Sequence, residues 1–147
     1  MMYPTISLRH RTQKGLAAVE MLVAVPVLMM VLMSITEFGN AFIQYATLNK
    51  MAQSGIRYAT AGVTGTATYD QIADVDEIKN MVVYGHTGSG STSLMSGISA
   101  SDVSVNHSSG YVTITINHTY TPLISGFSSS INFSVPLNAS ATMRTAP

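Results

Sequence analysis

From Leu16 to Thr36 the chain runs through 21 residues with Glu20 as the only charge. A helix rises 1.5 Å per residue, so this stretch would reach roughly 31 Å and cover one bilayer crossing. Beyond Glu37 the pattern becomes one-sided. Phe38, Ala41, Phe42, Tyr45, Leu48, Ala52, Ile56 and Ala59 recur at steps of three and four, while Asn40, Gln44, Asn49, Lys50, Gln53 and Arg57 mostly take the other face. The periodicity predicts one helix from about Ala17 to Ala61, apolar all round in its first half and amphipathic in its second. That second half must lay its stripe on something. Gly55 interrupts it, at about 1 kcal/mol of helix stability relative to Ala.

Gly62 and Gly65 in "AGVTGTATYD" are expected to end the helix, and Asp70 offers an N-cap for a second one over Gln71 to Tyr84. Ile72, Val75, Ile78 and Val82 would form its apolar side. "GHTGSGSTSLMSGISASD" reads as an exposed, mobile Gly/Ser linker. The remainder alternates with period two: Val103 and Val105; a turn at "HSSG"; then Val112, Ile114, Ile116, His118 and Tyr120 against Thr113, Thr115, Asn117 and Thr119. "INFSVPLN" repeats the pattern through Ile131, Phe133, Val135 and Leu137, and a last strand is expected over Ala139 to Arg144. Pro136 lacks an N–H and suits an edge or a non-bonding position. The expected fold class is α+β: a long N-terminal helix packed on a small antiparallel sheet, with the stripe from Phe38 to Ala59 as its cover.

Charge sharpens this picture by its placement. Arg9, His10, Arg11 and Lys14 precede the apolar run and no acid appears before Glu20. This basic flank predicts a cytoplasmic leader at 1–15, a transmembrane half-helix at 16–36 and an extracytoplasmic α+β domain at 37–147. A cleaved signal peptide would require a short apolar core and a small-x-small site, and Ser34, Gly39 and Ala41 offer only poor ones. A plain signal anchor fits the span but gives no reason for Glu20. Seven Lys and Arg balance seven Asp and Glu, so no global field attracts nucleic acid. Cysteine is absent, which excludes disulfides and thiolate metal sites.

Catalytic and cofactor patterns were sought and none is complete. "GHTGSGST" spaces its glycines like a phosphate-binding loop, but Ser91 stands where the essential lysine belongs. His86, His107 and His118 lack paired metal-ligand spacing, and His118, on the apolar side of its strand, reads as a core histidine. Asp70, Asp74, Asp76 and Glu77 read as acids at a helix start rather than as an acid/base pair or a calcium loop. No GxSxG elbow occurs. The sequons at Asn106, Asn117, Asn132 and Asn138 are of the kind a Ser/Thr-rich sheet produces by chance.

Glu20 is therefore the informative residue. A carboxylate in a span seeks a partner, and no Lys or Arg follows until Lys50. "KGLAAVE" resembles the processing site of type IV prepilins, a basic leader ending in Gly followed by an apolar segment whose fifth residue is Glu. The resemblance implies that a prepilin peptidase cuts between Gly15 and Leu16, and that Glu20 then pairs with the new amine of a neighbouring subunit. "AVE", Pro26, "EFGNAF", "SGIRYATAG", "VVYG" and "ASATMR" further resemble TadE-like proteins, minor pilins or pseudopilins of the Tad (Flp-type) pilus. Met21 departs from the Phe or Tyr usual after that Glu. The resemblance implies a non-enzymatic structural role without a cofactor, with the prepilin peptidase, other Tad pilins and pseudopilins, the inner-membrane assembly platform and membrane lipid as partners. Pro26 frees the Leu22 carbonyl, and a local bend or melted turn is expected there. The alternatives are a type II secretion-like pseudopilin and a signal-anchored binding module.

Overall fold

A computed structural model describes residues 13–61, 71–122 and 134–145. The chain divides into two compact units, Met1–Phe38 and Gly39–Pro147. Helix α1 (Gln13–Ala61) has Pro26 inside it, and helical residues continue on both sides, so the expected melted turn is not seen. The anticipated stop signals, Gly62 and Gly65, lie outside the described residues.

Helix α2 (Val75–Tyr84) begins four residues later than the periodicity predicted. Asp74 is its N-cap, its carboxylate accepting from the backbone N–H of Asp76 at 2.9 Å and of Glu77 at 3.3 Å. The residues just before it are committed elsewhere, since the Ala73 N–H donates to the Ala59 carbonyl at 3.1 Å. Asp70, the cap expected from sequence, is outside the described residues. Gly85 ends α2 in the left-handed region at φ 78°, returning its N–H to the Met81 carbonyl.

Strands β1 (Val103–Ser108), β2 (Tyr111–Tyr120) and β3 (Val135–Arg144) form an antiparallel sheet in that order. Ser109 and Gly110, both at positive φ, make the tight β1–β2 turn that "HSSG" announced. The two strands expected around Pro136 are one continuous β3. Pro136 sits opposite Thr119 on an edge strand of the described sheet, where its missing N–H leaves no ladder bond unmade. Ile131 and Phe133 lie outside the described residues.

One core joins these elements: Leu48, Met51, Ala52, Ile56 and Ala59 from α1, Ile78, Val82 and Val83 from α2, and Val112, Ile114 and Ile116 from β2. Leu48 to Ala59 covers roughly 17 Å of helix, against roughly 14 Å of strand between Val112 and Ile116. The stripe therefore covers the sheet only from Leu48 onward. Phe38 and Phe42, expected to cover it too, are 78% and 71% exposed. The Gly/Ser segment departs from its reading as an exposed linker. Ile98 is buried, Met95 packs against the core, and the Leu94 N–H donates to the Val83 carbonyl at 2.8 Å. Two apolar side chains, Met95 and Ile98, and the backbone bond of Leu94 anchor it among the glycines and serines.

Gly55 explains its own presence. A Cβ there would lie 2.2 Å from Cγ2 of Val82 and 3.2 Å from Cδ1 of Ile114. The helix accepts a poor helix former so that α2 and β2 can meet its backbone.

Candidate functional site: the apolar helix and its acid

Between Gly15 and Leu32 every residue of α1 is exposed, on all sides of the helix. Leu16 and Leu22 show 74% and 76% of their surfaces. An apolar surface of this extent, with no covering layer, is stable against lipid or against other apolar helices rather than in water. Helix α1 is long and apolar enough to cross a membrane. The two hydroxyl side chains between Leu16 and Thr36 suit that setting. Ser34 Oγ donates to the Met30 carbonyl and Thr36 Oγ1 to the Leu32 carbonyl, each at 2.9 Å, so neither needs water.

Glu20 is exposed on this surface. Leu16, Ala17, Val23 and Ala24, the positions three and four residues away on a helix, bring it no charge. Gly15 and Leu16 stand one turn before it, and a Cβ on Gly15 would meet nothing within 4 Å. Gly15, Leu16 and Glu20 thus occupy two consecutive turns of one helix, and Pro26 lies six residues beyond Glu20. The first turn of α1 contains no acid to complement its dipole.

The other candidates resolve into structural roles. Asp74 caps α2, Asp76 and Glu77 sit in its first turn, and Tyr58 OH donates to Glu77, joining α1 to α2. That bond to an acceptor carboxylate, ahead of burial and the charges of Glu77 and Asp74, raises the Tyr58 phenol above 10. "GHTGSGST" follows a helix, and the ring of its His86 stacks on that of Tyr84, the last residue of α2, at 6.0 Å. The segment leads into a 3₁₀ turn at Ala100–Asp102 instead of the helix a phosphate loop requires. Among the described residues no three His, Asp or Glu gather as metal ligands. His118 is half-exposed, which corrects its reading as a core histidine. Val112, Ile114, Ile116 and Tyr120 are buried on this face of the strand, and His118 between them lines a polar cleft.

Sequence reasoning missed a polar cleft of about 560 Å³ at this end of β2, lined by Gln44, Ser96, Asp102, Asn117, His118 and Thr121 among others. Asp102 is held by Ser99, whose Oγ and backbone N–H donate to its Oδ2 at 2.7 and 2.8 Å. These bonds, the hydroxyl's first, hold its carboxyl below the ordinary 3.8, with a smaller contribution from His118. No motif marks the cleft because its residues come from four separate segments.

The features together define an α+β protein whose N-terminal apolar helix fits a single-pass membrane anchor. Residues 15–57 match the family model described as TadE-like protein, so this part of the chain is similar to TadE-like proteins of the Tad pilus system. No match is found among curated proteins or solved structures.

Proposed function

We propose that the protein is a minor pilin or pseudopilin of the Tad pilus, made as a prepilin and trimmed by a prepilin peptidase between Gly15 and Leu16. The leader at 1–15 lies in the cytoplasm, the helix crosses the inner membrane and the domain beyond Glu37 lies in the periplasm, as the basic residues before Leu16 favour. Its role is assembly and adhesion rather than catalysis, with other Tad pilins, the inner-membrane platform and lipid as its partners.

The observation that carries this reading is Glu20, exposed on a charge-free apolar helix four residues after Leu16, in a segment whose family match begins at Gly15. Processing would create an ammonium at Leu16, at the depth of the carboxylate. An Asp at the bilayer centre is disfavoured by roughly 2.5–3.5 kcal/mol, so an acid without a cation is under pressure to find one. The amine of an adjacent subunit supplies it. Pro26 would let the helix bend as it passes from lipid into an assembly. A Glu20→Ala variant should be cut normally and fail to enter pili. Normal piliation by that variant would remove the ion pair from the account.

A further inference from the structure

The sheet has a second face, turned away from the core, with an unusual chemistry. Its positions are Ser104, Asn106 and Ser108 on β1, the odd residues Tyr111 to Thr119 on β2, and the even residues Pro136 to Arg144 on β3. All are exposed except Thr113 and Thr115, which are half-buried by their neighbours on the central strand. Among the described residues the face holds no carboxylate, and Arg144 is its one cation. Thr113 and Thr142 share a hydroxyl–hydroxyl bond of 3.0 Å, and Thr115 and Ser140 one of 3.3 Å. Strand spacing sets a hydroxyl or amide about every 5 Å across the sheet and 7 Å along it. At the Asn117–Thr119 end the face runs into the polar cleft that contains Asp102 and Gln44.

We propose that this face and the cleft at its end bind an uncharged glycan. The proposal rests on the sheet and is independent of the filament reading. An apolar partner would strip water from hydroxyls and amides without replacing its bonds. Nucleic acid or an anionic membrane would need more than one cation. A neutral polyhydroxylated chain satisfies the face, because each sugar hydroxyl both donates and accepts, as Ser and Thr do, while Asn offers both functions at once. Asp102, fixed through Oδ2 by Ser99, leaves Oδ1 as a strong acceptor for a ligand hydroxyl. Tyr111, 51% exposed at the other end, presents a ring to the apolar side of a sugar. The cleft volume lies in the range of small-ligand sites. Apart from Arg144 on the face and Asp102 in the cleft, charge is placed away from the sheet, since Lys50, Arg57, Asp74, Asp76, Glu77 and Lys79 stand on the two helices or the α2 cap.

The test uses the full chain in lipid nanodiscs, free of sugar-based detergent. Neutral gluco-, galacto- and mannohexaose are titrated calorimetrically, with alginate and heparin fragments as anionic controls. Saturable binding of at least one neutral oligosaccharide is expected. The Thr113→Val/Thr115→Val variant keeps shape and strand preference while removing two hydroxyls, and should weaken binding roughly tenfold, as should Asn117→Ala at the cleft. Unchanged circular dichroism establishes that these variants fold. Absence of binding to every neutral probe at millimolar concentration, binding of the anionic probes alone, or affinity untouched by both variants would overturn the proposal. Filament assembly by wild-type protein would be unaffected by any of these results.

Discussion

Replacing Gly55 with Ala sets two known effects against each other. Helix propensity alone favours Ala by about 1 kcal/mol in a helix interior. The structure reverses the sign, because the new methyl would lie 2.2 Å from Cγ2 of Val82. Val82 is β-branched and sits in the last turn of α2, so its rotamer is nearly fixed and the helix itself must move. Ile114 blocks a second direction at 3.2 Å. Overpacking a core costs typically 1–3 kcal/mol, and an overlap this deep belongs at the upper end. The net expectation is a loss of about 1–2 kcal/mol. For a domain near 100 residues each kcal/mol moves the unfolding midpoint by roughly 4–8 °C. Thermal unfolding of the full chain in zwitterionic micelles, followed by far-UV circular dichroism, reads this shift. Val82→Ala should also destabilise, yet the pair together should lose at least about 1 kcal/mol less than the sum of the two, because the truncation makes room for the methyl. A Gly55→Ala protein as stable as the parent, or a strictly additive pair, would refute the close approach of α1 and α2.

Ile114→Ala should cost about 2–5 kcal/mol in the same assay, since it empties the centre of the core beneath α1. Asp74→Ala removes the cap of α2 and should lose about 1 kcal/mol, whereas Asp74→Asn, which can still accept, should lose less. Asp102 is held below its ordinary 3.8, so its ionised form contributes stability above that value and the contribution disappears as pH falls through the lower folded value. The Ser99 amide resonance should therefore shift with acid only below about pH 4, and Asp102→Asn should abolish that titration.

Much of the fold was legible because burial periodicity and turn chemistry agree there. The alternation over Tyr111–Tyr120, the positive-φ turn at Ser109 and Gly110, and the edge position of Pro136 all follow from local rules. What local rules could not reach were choices made by tertiary contacts. Asp74 outcompetes earlier starts for α2 because Ala73 is already bonded to Ala59. Ile98 enters the core from a segment whose composition reads as linker. Phe38 and Phe42 continue the helical stripe, yet both are exposed. The acid at Glu20 was legible as an anomaly of pattern, whereas the cleft around Asp102 was invisible until four segments met.

The most direct test of the central claim is intact-mass and amino-terminal sequencing of the protein recovered from membranes of cells that carry the Tad machinery. The account predicts a mature chain beginning at Leu16, with the same chain left uncut when the prepilin peptidase is deleted. A chain that still begins at Met1 in the presence of the peptidase, or one cut near Ala41, would contradict it.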